Sequence, residues 1–209
     1  MRIHLDIETY SEIDLKKVGV YKYAAHPSTD LTCVCWAEDD GPVNVWVPWR
    51  KVPEKVLQAI KDFADPGARI FQGDLIPQQL ELLLTDFEEA KLAAHNAQFE
   101  RVVLNGNAGQ RHGVPKIKIE DTICTMAKCA VHGLPESLDA AAKAFGTQKK
   151  RDVGVNDMRH FMKPRTAKKY KEEPRATPHN APEKYVEMVK YCIDDVKAER
   201  DLDNNNPGS

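Results

Sequence analysis

Two carboxylates open the sequence two positions apart. Asp6 and Glu8 stand in LDIETY, and residues i and i+2 of an extended segment point to one face. Like charges so placed repel unless one is protonated or a cation lies between them. A hard divalent ion such as Mg²⁺, which takes carboxylate oxygens, would relieve that repulsion. Two solvated acids leaving a sheet would read the same way. A second group lies in AHNAQFER, where His95, Asn96, Phe99 and Glu100 follow a short apolar run. Ligands gather at the carboxyl ends of strands in open α/β sheets, and a strand-to-helix junction here would deliver these side chains to such an edge. Glu100 also suits the first turn of any helix, where acids are favoured, and Asn96 suits an N-cap. The third group lies in KYCIDDVKAER. Tyr191 and Asp195 are four apart and so share one helix face, while Asp194 points elsewhere and is expected in solvent. Read as packing alone, Tyr191 is an ordinary half-buried residue.

The surrounding pattern supplies elements able to position these groups. Residues 2–7, 31–38 and 43–48 read as strands, the last two joined by the DDGP turn as a hairpin. A short strand is read at 68–72, a buried one at 91–95 and another at 117–122. Apolar residues at helical spacing mark helices at 53–64, 77–89, 97–105, 122–132, 137–145 and 182–202. Asp121 is expected to cap the fourth, while Ser137 caps the fifth and Gly146 closes it. Strands first, then alternating helices and strands, predict a mixed sheet flanked by helices. Residues 147–181 are irregular, basic and proline-containing, and a loop this long in a compact domain is usually functional or mobile. Residues 1–202 read as one domain and 203–209 as a polar tail that frays.

Composition fits that reading. The 209 residues are 42% hydrophobic and 30% charged, enough to bury a core. No apolar run reaches the ~20 residues of a transmembrane helix, and the N-terminus lacks the apolar run of a signal peptide. A cytoplasmic protein without membrane association is expected. The five cysteines suit reduced thiols, with Cys33 and Cys35 in buried strand positions. Cys124, Cys129 and His132 would make a zinc site only with a further ligand that the spacing does not supply. The net charge of −2 hides an asymmetry, since residues 143–175 hold eleven Lys and Arg against four acids. That stretch is either a solvated loop or a surface that tracks phosphates. With no sustained apolar heptads, a monomer is expected.

In this order, Asp-x-Glu, Asn-x-x-Phe-Glu and Tyr-x-x-x-Asp form a specific set. Together with HLDIETYSEIDLKKVGVYKYAAHPSTDL, GLPESLDAAAKAFG, KKRDVGVNDMRHFMKPR and YCIDDVKAER, the set resembles the 3′–5′ exonuclease domain of bacteriophage-type family A DNA polymerases. Within the DEDD superfamily, that is the subgroup with a tyrosine in its third motif. The resemblance spans roughly residues 2–201. It implies an α/β ribonuclease H-like fold with a mixed five-stranded sheet flanked by helices. It also implies two divalent ions, Mg²⁺ or Mn²⁺, with Asp6, Glu8 and Asp195 around the first and Asp6 and Glu100 around the second. Many family members carry aspartate where this chain has Glu100. Tyr191 would orient the attacking water, a phenol of ordinary pKa about 10 being a poor base at neutral pH. The implied reaction hydrolyses phosphodiester bonds from the 3′ ends of single-stranded DNA and releases nucleoside 5′-monophosphates, as in proofreading. Thr9, Tyr10, Ile13, Asn96 and Phe99 would meet the terminal nucleotide, Ile13 and Phe99 being equally suited to a core. The sequence ends 14 residues after Asp195 with no polymerase palm, fingers or thumb. A free-standing enzyme or the partner of a polymerase domain is thus expected, within a bacterial host cell if phage-encoded. The same acids would serve an exoribonuclease, and a non-catalytic nucleic-acid-binding module is the alternative of another class. An HNH-type endonuclease, suggested by His95-Asn96, lacks a second motif histidine.

Overall fold

The computed structural model describes residues 1–85, 90–146 and 160–205, Lys169 by its backbone alone. Strand β1 (Arg2–Tyr10) organises the rest through its period-two alternation. Ile3, Leu5 and Ile7 enter one core, whereas His4, Asp6 and Glu8 line the opposite face. β2 (Asp30–Glu38) and β3 (Asn44–Val47) continue as an antiparallel meander, with Asp6 opposite Cys35 and Glu8 opposite Cys33. On the other side of β1 lie β5 (Lys91–Ala94) and β6 (Thr122–Cys124), both parallel to it. β4 (Ile70–Gln72) pairs in parallel with β3, giving the order β4-β3-β2-β1-β5-β6. This mixed sheet between helices is the α/β, ribonuclease H-like arrangement that the sequence implied, with six strands instead of five. The sixth is the short strand read at 68–72, which the five-stranded expectation leaves out and which three residue pairs hold at the sheet edge.

Short helices α1 (Leu15–Val18) and α2 (Val20–Ala24) follow β1. Helix α3 (Glu54–Phe63) buries Val56, Leu57 and Ile60 on the β2–β3 side. Helix α4 (Gln78–Thr85) buries Leu80 and Leu84 on the other side, beside α5 (Ala97–Leu104) and α6 (Asn107–Arg111). Residues 86–89 of the expected 77–89 helix lie outside the described residues, as do 147–159 and 206–209. Most of the KKRDVGVNDMRHFMKPR stretch falls there as well.

The strand expected at 117–122 starts later. The Asn105 side chain accepts from the Ile117 N–H at 2.8 Å and donates to the Ile117 carbonyl at 2.7 Å. That clamp ties up both backbone groups of Ile117, and a single 3₁₀ turn, Ile119–Asp121, precedes β6. Asp121 does not cap the next helix, α7 (Thr125–Val131), whose N-cap position is Cys124. Its carboxylate instead accepts from Lys91 Nζ at 3.1 Å. Ser137 does cap α8 (Leu138–Phe145), accepting from the Ala140 N–H, and Gly146 ends that helix in the left-handed conformation.

The last helix, α9 (Pro182–Asn205), lies against β1, β2, α3 and α8. Tyr185 donates its buried hydroxyl to the Thr32 carbonyl at 2.7 Å, and Lys197 reaches Asp65 at 2.6 Å. The helix outlasts its expected end at 202 for a specific reason. Asp203 is fully buried and accepts from Lys128 Nζ at 2.6 Å and from the Arg2 guanidinium.

Candidate active site

Three elements carry the predicted acids, and the charge of Asp6 is felt at Glu100. β1 supplies Asp6 and Glu8, both half-buried, on the face that meets α9. The register slips just after them, with Glu8 opposite Cys33 but Thr9 opposite Leu31. Such a bulge re-aims side chains where a strand leaves its sheet. α9 supplies Asp195, 8% exposed, and the half-buried Tyr191. The Cys192 thiol between them donates to the Asp6 carbonyl at 3.5 Å, tying α9 to β1 at this level. Asp194, expected in solvent, is half-buried.

Glu100 arrives from β5. The chain turns sharply at Asn96, whose φ of 112° is rare for any residue but glycine. Asn96 occupies the N-cap position of α5, yet its exposed side chain makes no capping bond. One turn later Glu100 is 5% exposed, and its Oε2 has no hydrogen-bond partner. Burial raises the Glu100 carboxyl well above the usual carboxylate range, and the nearby Asp6 charge raises it further. An unpartnered buried carboxylate oxygen beside a second carboxylate is what a bound cation would satisfy. Glu100 and Asp6 therefore offer the oxygen donors that a divalent ion of the Mg²⁺ kind takes. Among the described residues, the tight cluster of metal-ligating atoms lies not at these acids but in the thiols of Cys33, Cys35 and Cys192.

A consequence for stability follows from Glu100. Its folded carboxyl binds a proton more tightly than the unfolded one, so stability falls as pH rises from the ordinary glutamate range through the raised folded value. In metal-free buffer at pH 8, Glu100→Gln should raise the thermal midpoint. Removing an unsatisfied buried charge is worth about 1–3 kcal/mol, at about 2–4 °C per kcal/mol for a chain of this size. The advantage should vanish below about pH 4, where both states are protonated. Calorimetry at the two pH values checks this, and a midpoint unmoved at pH 8 would mean that Glu100 is not strained.

The expected nucleotide contacts divide. Phe99 is half-buried, 6.3 Å from Tyr23 by ring centroids, and Ile13 packs beside the same core. With Asn96 they lie along the β1–α5 edge. Thr9 and Tyr10 are 4% and 5% exposed. The Thr9 hydroxyl hydrogen-bonds the Tyr23 hydroxyl at 2.9 Å, and the Arg175 guanidinium covers the Tyr10 ring at 4.7 Å. In this structure both serve the framework. His95 is also held in place, by the Thr125 hydroxyl at 3.2 Å and the Glu136 carbonyl at 2.7 Å.

Two residues escaped the sequence reading. His4 and Glu199 form a buried pair, Nδ1 to Oε2 at 2.8 Å. Burial raises the Glu199 carboxyl, against the opposing pull of His4, and Glu199 in turn adds to the field on Glu100. The signal lay in the spacing. His4 precedes Asp6 by two on the same strand face, and Glu199 follows Asp195 by four on the same helix face.

Over 204 residues, 97% of the chain, the sequence is 31% identical to the DNA polymerase of Bacillus phage SP02. The resemblance is to a phage DNA polymerase. The aligned part is 27% of that polymerase's length. No protein-family model matches the chain. Among solved structures, the apo form of a nuclease aligns over 97% of this chain and 70% of its own, at 15% identity and a TM-score of 0.43. Likeness of that degree adds nothing to the topology described above. Among the described residues, no helix is long and apolar enough to cross a membrane.

Proposed function

We propose that this domain is a 3′–5′ exonuclease, dependent on two divalent metal ions, that removes nucleotides from single-stranded DNA as nucleoside 5′-monophosphates. Glu100 carries the reading, because a buried carboxylate with an open oxygen beside Asp6 is costly without a cation. Asp6, Glu8 and Asp195 would hold one ion, and Asp6 with Glu100 the other. Bound there, Mg²⁺ or Mn²⁺ lowers the pKa of water and offsets charge on the attacking and leaving oxygens.

The protein's own groups do the positioning. Tyr191, one turn before Asp195, orients the attacking water through its hydroxyl. Asn96 offers an uncommitted amide for the terminal sugar, and the faces of Phe99 and Ile13 take the terminal base by stacking. Buried Thr9 and Tyr10 hold the β1 end that carries Asp6 and Glu8. Exposed lysines of the basic stretch, Lys163 and Lys171 among them, favour a strand of phosphates and give a salt-dependent affinity. Proofreading beside a polymerase domain, in a bacterial host, is the setting that the phage relative supports. That relative also favours DNA over RNA, since the catalytic acids do not read the 2′-hydroxyl.

The test is direct. With Mg²⁺ or Mn²⁺, 5′-labelled single-stranded DNA should shorten in a ladder from its 3′ end, and EDTA should stop it. Faster loss of an RNA of equal sequence would keep the chemistry and overturn the substrate. Binding without turnover under either metal would make the chain a non-catalytic nucleic-acid module.

A further inference from the structure

A convergence of ligating atoms lies beside the acids of β1, on the same face of the sheet. Cys33 and Cys35 are two apart on β2 and point to the same face, and Cys192 comes from α9. All three are fully buried, and their Sγ atoms lie within 4.8 Å of one another. We propose that Cys33, Cys35 and Cys192 form a binding site for one thiophilic divalent cation of the Zn²⁺ and Cd²⁺ class, separate from the acidic site.

Three features support it. The first is spacing. Sulfurs bound to one zinc at about 2.3 Å stand about 3.8–4.0 Å apart, within the span observed, so the backbone needs little adjustment. The second is the surroundings of the sulfurs. The Glu8 backbone N–H is directed at the Cys33 sulfur, the outer contact that steadies a coordinating thiolate. The third is ligand type. A buried cysteine commonly acts as a small hydrophobe, but packing alone asks for no meeting of three polarisable sulfurs from two elements. Soft thiolates select soft cations and reject Mg²⁺, so the two neighbouring sites would not compete for the same ion.

Binding balances without an oxidant. Three S–H groups release three protons to solvent and three S–metal bonds form, a water or small anion takes the fourth position as in other sites with three protein ligands, and the dication with its three thiolates carries one net negative charge. The site reaches the acids through named contacts. Cys35 lies opposite Asp6, Cys33 opposite Glu8, and Cys192 bonds the Asp6 carbonyl.

The experiment titrates Cd²⁺ into the reduced protein with excess Mg²⁺ present to occupy carboxylates. A sulfur-to-cadmium charge-transfer band should saturate at one equivalent, with one cadmium retained in the native mass spectrum. The chain has five cysteines, so a Cys124→Ala/Cys129→Ala variant leaves only the trio and should keep the full band. Cys35→Ala and Cys192→Ala should each weaken binding at least tenfold. A wild type without the band would overturn the proposal. So would its loss in the folded Cys124→Ala/Cys129→Ala variant, or its persistence in Cys192→Ala. Should Cys192→Ala fail to fold, the double variant decides alone. None of these readouts depends on nuclease activity.

Discussion

Asp6→Ala should lower degradation of single-stranded DNA by about a thousandfold or more, a loss of roughly 4 kcal/mol of transition-state stabilisation. The same substitution should leave the metal-free protein melting within about 2 °C of wild type. The two halves of this expectation have separate causes. Asp6 belongs to both proposed ion sites, so its removal disturbs both at once. Two of its structural ties run through the backbone, which pairs with Cys35 across the ladder and accepts from Cys192; an alanine keeps both. Removing its charge also relieves Glu100, which Asp6 pushes toward protonation. Parallel assays of turnover with Mg²⁺ and melting in EDTA separate the outcomes. Undiminished turnover would take β1 out of the chemistry. A fall of many degrees would make Asp6 a structural residue whose loss disturbs activity only through folding. Asp195→Ala should follow the same pattern on the opposing helix.

The parts legible in the sequence were those with a short repeat. β1 announced its two faces by alternation, and α9 announced its buried stripe by apolar residues three and four apart. Asp6, Glu8, Tyr191 and Asp195 inherit their relation from those periods. What the sequence did not disclose was decided by side chains meeting from afar. Asn105 clamps Ile117 and so delays β6. Asp203 finds Arg2 and Lys128 and so prolongs α9, although its neighbours read as a fraying polar tail. Glu199 reads as one more surface acid until His4 is seen facing it from β1. Thr9 and Tyr10 follow the acid motif closely in sequence, but their partners Tyr23 and Arg175 come from elsewhere in the chain. Local pattern fixes which face a residue takes, whereas its partner on that face depends on contacts far away in the chain.

Arg175 leads to the largest stability effect expected outside the acids. Its guanidinium stacks between Tyr10, at 4.7 Å, and Trp49, at 5.0 Å, and donates to Asp30 at 2.8 Å. Asp30, at the start of β2 with a side chain 13% exposed, also meets His112 Nε2 at 2.8 Å and Arg111 at 2.9 Å. One carboxylate thus joins β2, the end of α6 and the segment that leads into α9. Burial alone would raise its pKa, but bonds from His112 and Arg175 hold it far below the usual aspartate range. Removing one partner from a buried pair costs about 3–5 kcal/mol, so Asp30→Ala should lower the thermal midpoint by roughly 10 °C at pH 7. A depressed folded pKa stabilises the protein above the ordinary aspartate value and ceases to do so as pH falls toward the folded one. The gap between wild type and Asp30→Ala should therefore narrow below about pH 4. A gap that stayed constant with pH would assign the loss to packing instead of charge. Arg175→Lys sharpens the test, because lysine keeps the charge but not the planar stacking on two rings. It should lose less stability than Asp30→Ala, and its loss should persist in high salt, where a purely ionic contribution would be screened.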